Sequence, residues 1–131
     1  MTAMNDKSSQ NSRDTFQKAR DLSFLGAFLG FIGSFMDITT TFYALHYVQG
    51  AREMHPLNCQ IEVAQMISRP ETATLWGIIH VSMPFLLFFL AELLVRKLKT
   101  KEAVYLYLAP VTYAILTWAT VINNLFIIIH R

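Results

Sequence analysis

Three long apolar stretches, about 22–48, 72–95 and 103–129, occupy most of the 131-residue chain. Each exceeds the roughly 20 residues that a helix needs to cross ~30 Å of hydrocarbon. The third is the cleanest: between Glu102 and His130 it carries no ionisable group other than tyrosine hydroxyls. Hydrophobic residues make up 53% of the chain and charged residues 15%, whereas a soluble domain is charged at roughly a quarter of its positions. These values exclude disorder, a collagen-like chain and a disulfide scaffold, and they argue against a water-soluble globule. A net charge of +2 gives no footing for nucleic-acid binding. The single cysteine, Cys59, cannot close an internal disulfide. The expected fold is all-α: an integral membrane protein with three transmembrane helices (residues 22–131) behind a polar, loosely ordered tail over 1–21. The first stretch does not fit a cleavable signal peptide, because it follows a long tail containing Asp6, Asp14 and Asp21.

Basic residues set the expected orientation. Lys7, Arg13, Lys18 and Arg20 lie in the tail, and Arg96, Lys97, Lys99 and Lys101 lie between the second and third stretches. Three spans put those two segments on one side, against only Arg52, Arg69 and Arg131 on the other. The positive-inside rule then predicts a multi-pass protein of the cytoplasmic (inner) membrane, N-terminus cytoplasmic and C-terminus outside. The Arg96–Lys101 turn is expected to attract anionic lipid headgroups. In the external connector, Leu57, Ile61, Ala64 and Ile67 recur at helical spacing between Pro56 and Pro70. This predicts a short interfacial helix over about 57–68.

The first span carries a stripe of small and polar residues: Gly26, Gly30, Gly33, Asp37, Thr40, Thr41 and Ala44. At 100° per residue they stay within roughly 60° of one line. Gly26, Gly30, Gly33 and Ala44 are expected to form a packing seam, since small residues let helices approach closely in lipid. Asp37 needs a further reason, because a carboxylate at that depth costs roughly 2.5–3.5 kcal/mol on insertion scales. It should face protein. His80 on the second span and Thr120, Asn123 and Asn124 on the third fall at a similar depth, with Glu53 and His55 above them in the connector. These residues form either a hydrogen-bonded tie between helices or a polar pocket for a cation, a proton or a small polar ligand. The dense ligand spacings of metal sites, such as HxxxH or ExxH, are missing, and no cofactor is expected. Glu92 and Arg96 are expected to pair at i, i+4. Tyr43, Tyr47, Trp76, Tyr105 and Tyr107 lie where interface anchors belong, and Trp118 is expected to face lipid. GxSxG, P-loop, GxGxxG and HExxH motifs are absent, which argues against an enzyme.

One segment goes beyond composition. Asp37-Ile-Thr-Thr40-Thr41, followed by Gly50-Ala51-Arg-Glu53-Met-His55-Pro56-Leu57, resembles an uncharacterised family of small prokaryotic three-helix membrane proteins. That family carries Asp-x-x-Thr-Thr and then Gly-Ala-x-Glu-x-Asn-Pro-Leu, and its last span often ends in a pair like Asn123-Asn124. The present chain has His55 where the pattern has Asn, and His80 where Lys is common. The resemblance implies that Asp37, Thr40, Glu53, Pro56 and Asn124 act as one constellation, and it implies no activity.

The expectation from sequence is a non-enzymatic integral subunit or interaction protein that packs through its glycine face. Three such helices bury little alone, so self-association or a larger membrane complex is expected. The alternatives are a binding or transport module built on the Asp37 pocket, and a holin-like or immunity-type membrane protein.

Overall fold

The computed structural model describes residues 2–47 and 69–130. Helix α1 spans Thr2–Tyr47, α2 spans Pro70–Leu98, a 3-10 helix spans Glu102–Tyr107, and α3 spans Leu108–Ile129. There are no strands among the described residues. Three helical segments, Arg13–Ala44, Glu71–Leu98 and Glu102–Ile129, are long and apolar enough to cross a membrane. The predicted interfacial helix at 57–68, together with Cys59, Glu53 and His55, lies outside the described residues.

The expected loose tail is corrected: residues 2–21 continue the first span as one helix of 46 residues. The segment contains no Gly or Pro, and extending an existing helix avoids the costly nucleation step. Its junction with the span is also tied down. Arg20 Nε lies 2.8 Å from Glu92 Oε1, and the Tyr107 hydroxyl donates to Glu92 Oε2 at 3.0 Å. The expected partner Arg96 is farther from Glu92 Oε1, at 3.5 Å. Tyr107 is therefore a buried strut and not an interface anchor. The tie closes one end of the bundle, and the Asp37 residues lie toward the other.

Helix α2 begins with Pro70 in its first turn, where the missing N–H costs nothing. It stops at Lys99, whose φ of 52° is left-handed and whose N–H bonds the Val95 carbonyl at 3.2 Å. The third apolar stretch is not one uniform helix: 3-10 geometry over Glu102–Tyr107 precedes α3. Tightened turns of this kind are frequent at helix N-termini.

The core is built from small residues, so the backbones come close. Ala27, Ala44, Ala91, Ala103, Ala114 and Val121 are buried. The glycine stripe faces the chain's own helices. A Cβ on Gly26 would lie 2.9 Å from the backbone N and Cα of Val111, one on Gly30 would lie 3.0 Å from Pro84, and one on Gly33 would lie 3.2 Å from Thr117 and Trp118. The seam expected to receive a partner is thus filled from within, by α2 and α3. Trp118 belongs to this contact as well: its indole N–H donates to the Leu29 carbonyl at 3.1 Å, so it is not simply lipid-facing. Outward, large apolar side chains such as Leu86, Phe89, Ile115 and Ile129 are exposed. Such a surface is a liability in water and an ordinary one in hydrocarbon.

Candidate functional site

Asp37 is 2% exposed, and both of its carboxylate oxygens meet donors from other helices. His80 Nε2 of α2 lies 3.2 Å from Oδ2. The Asn124 amide of α3 donates to Oδ1 at 3.1 Å, and its nitrogen also lies 3.2 Å from Thr40 Oγ1 and 3.0 Å from Thr41 Oγ1. Thr40 in turn donates toward the carbonyls of Met36 and Asp37, at 2.9 and 3.1 Å. The 37, 40, 41 spacing places these acceptors on one face of α1. One carboxylate therefore ties α1 to both neighbours.

The far side of His80 is held by a residue that was not among those expected in the pocket, Tyr113. The Tyr113 hydroxyl of α3 lies 3.2 Å from His80 Nδ1, 3.1 Å from the His80 backbone carbonyl and 3.4 Å from Ser34 Oγ. That carbonyl is available for a definite reason. In a helix it would accept from the N–H four residues on, but that residue is Pro84, which has none. Neighbouring helices commonly satisfy carbonyls freed in this way inside membranes. Here Tyr113 fills that role, while the Pro84 ring packs against Gly30. Trp76, one turn before His80, stacks on the imidazole with ring centroids 5.1 Å apart and planes 7° apart. It forms a wall of the site.

Of the residues expected in a pocket, the structure gathers Asp37, Thr40, Thr41, His80 and Asn124. Two do not join them. The Thr120 hydroxyl donates back to the Leu116 carbonyl at 3.0 Å, and Asn123 points outward, exposed. The reason is angular: neighbours in a helix diverge by 100°, so Asn123 and Asn124 cannot face the same partner. The expected Asp37–His80–Asn124 contact holds, but as a packed network whose carboxylate oxygens already face N–H donors. Among the described residues, no three His, Cys, Asp or Glu side chains gather to hold a metal ion.

No family model, curated protein or solved structure matches this chain. The resemblance to the small three-helix family therefore rests on its motif residues alone.

Proposed function

We propose that this is a non-enzymatic multi-pass membrane protein whose Asp37–His80 centre binds and releases a proton. One observation carries the reading: the Tyr113 hydroxyl stands within hydrogen-bond distance of two atoms of the same residue, His80 Nδ1 and the His80 carbonyl oxygen freed by Pro84. With His80 neutral, Nε2–H donates to Asp37 and Nδ1 accepts from Tyr113. When a proton arrives at Nδ1, the new N–H donates to the Tyr113 oxygen, and the Tyr113 O–H turns to the carbonyl. Both ring nitrogens stay bonded in both states, the His80 carbonyl gains the Tyr113 O–H only in the protonated one, and no heavy atom has to move. The pair passes from a net charge of −1 to zero, and the stacked Trp76 face suits a cation. Because Asp37 also ties the three helices together, the proton is linked to the packing of the bundle.

The alternative within this pocket, a resident cation, has less support, since the carboxylate oxygens are directed at donors. A subunit docking through its glycine face would have to displace α2 and α3 from that face. The proton site predicts a non-additive titration. Proton uptake in weakly buffered detergent, followed with a pH dye between about pH 4 and 9, should fall in Asp37→Asn and in His80→Phe. The double variant should fall no further than the larger single loss. Two separate losses that add would overturn the reading.

The same proposal places the protein in an inner membrane with the Arg20–Glu92 end cytoplasmic and with anionic headgroups around Arg96, Lys97, Lys99 and Lys101. An N-terminal tag should be removed by protease in inside-out vesicles and protected in right-side-out ones. The opposite pattern would invert the assignment.

A further inference from the structure

Asn123 is exposed on the outer face of α3 and makes no hydrogen bond among the described residues. An amide facing hydrocarbon is costly unless it finds a partner. The residues around it are ordered. Thr112, Leu116, Ala119, Asn123, Phe126 and His130 are all exposed and recur at alternating spacings of four and three, the repeat along which two helices wrap around each other. The line is narrow where approach must be close, at Thr112 and Ala119, and bulky Ile115 and Ile122 flank it on one side. The Thr112 hydroxyl likewise has no partner among the described residues.

We infer that this face of α3 is the contact with a second copy of the chain, and that an Asn123–Asn123 amide pair lies at its centre. The choice of occupant follows from symmetry and chemistry. Copies inserted by the same charge rule share one orientation, so two α3 helices meet in parallel. A two-fold axis along the bilayer normal then sets each residue of the line opposite its own counterpart. An amide is its own complement, because it carries both donor and acceptor. Asn123 against Asn123 closes the hydrogen bonds that lipid leaves open, and Ala119 against Ala119 brings the backbones near enough to do so. The surface is separate from the Asp37 centre and does not depend on the proton reading.

The test is dimerisation of the full chain in lipid vesicles, measured by single-molecule photobleaching as the protein is diluted into lipid. The wild type should dimerise, Asn123→Leu should weaken the dimer by about tenfold, as expected for an interhelical polar pair, and Asn123→Gln should retain most of it. Neither variant removes a hydrogen bond made within the described residues, so the helical circular dichroism should stay unchanged. A second measurement uses Asn123→Cys with Cys59→Ser, which should give a disulfide between two copies under mild oxidation. A monomeric wild type, or an Asn123→Leu dimer as tight as the wild type, would overturn the inference. So would Asn123→Cys, with Cys59 kept, forming its disulfide to Cys59 within one chain.

Discussion

Asp37→Asn is expected to fold normally and to lose the proton, whereas Asp37→Leu is expected to lose both. The asparagine has the shape of the aspartate and keeps one oxygen acceptor. With its oxygen toward the Asn124 amide, its own NH2 faces His80 Nε2, so His80 takes the tautomer that accepts at Nε2 and donates from Nδ1 to the Tyr113 oxygen. Tyr113 then donates to the His80 carbonyl, which lies 3.1 Å away. Every bond is satisfied, yet Nδ1 is already occupied by a proton and the counter-charge is gone. Leucine instead leaves the Asn124 amide and the imidazole without their partner in the core. Interhelical hydrogen bonds in membranes average about 0.6 kcal/mol and reach about 1.7. Two such losses, with the strain of burying the orphaned groups, come to about 1–3 kcal/mol. Unfolding in mixed detergent micelles should therefore place Asp37→Asn within about 1 kcal/mol of the wild type and Asp37→Leu well below it. Equal destabilisation by both would mean that Asp37 matters for charge alone.

The second large effect concerns backbone approach. Gly26→Ala sets a methyl group 2.8 Å from Val111 Cγ2 and 2.9 Å from the Val111 backbone. A side chain can turn aside, but a backbone can move only if the helix moves. The two helices must part along the seam that also aligns Gly33 with Thr117, and such overpacking typically costs about 1–3 kcal/mol. Gly77 provides the control, because a Cβ there meets only Ile38 Cδ1, at 3.9 Å. Gly77→Ala should be neutral or stabilising, since glycine within a helix is roughly 0.5–1 kcal/mol worse than alanine. The same micelle unfolding series should separate the two by about 2 kcal/mol or more. If Gly26→Ala is tolerated as well as Gly77→Ala, the close crossing of α1 and α3 is wrong.

The three spans were legible because hydrocarbon thickness imposes a length, and apolar runs of that length have few other uses. The Asp37–His80–Asn124 contact was legible because a carboxylate in a span must find partners, and only a few polar residues share its depth. The geometry that gives the site its chemistry was harder to see. Pro84 stands four residues after His80, so the freed carbonyl was implied by spacing, but its acceptor role appears only once Tyr113 is brought beside it from another helix. Asn123 was misplaced because depth was weighed ahead of angle. Residues 2–21 were misjudged because composition describes a segment in isolation, while their helix is propagated from the span and pinned where Arg20 meets Glu92. The glycine stripe was correctly read as a packing face. Whether a neighbouring chain or the same chain packs there is a question of topology that a stripe cannot answer.

The most direct measurement of the central claim is nitrogen-15 magnetic resonance of the imidazoles in lipid nanodiscs, with His80 assigned by its absence in His80→Phe. On acidification, the His80 Nε2 signal should remain protonated while Nδ1 changes from the unprotonated to the protonated position. In Tyr113→Phe that second state should recede, because the new N–H has lost its acceptor. A His80 ring that keeps one tautomer throughout the titration, and behaves the same without the Tyr113 hydroxyl, would contradict a proton-binding centre and leave Asp37, His80 and Asn124 as a static tie between helices.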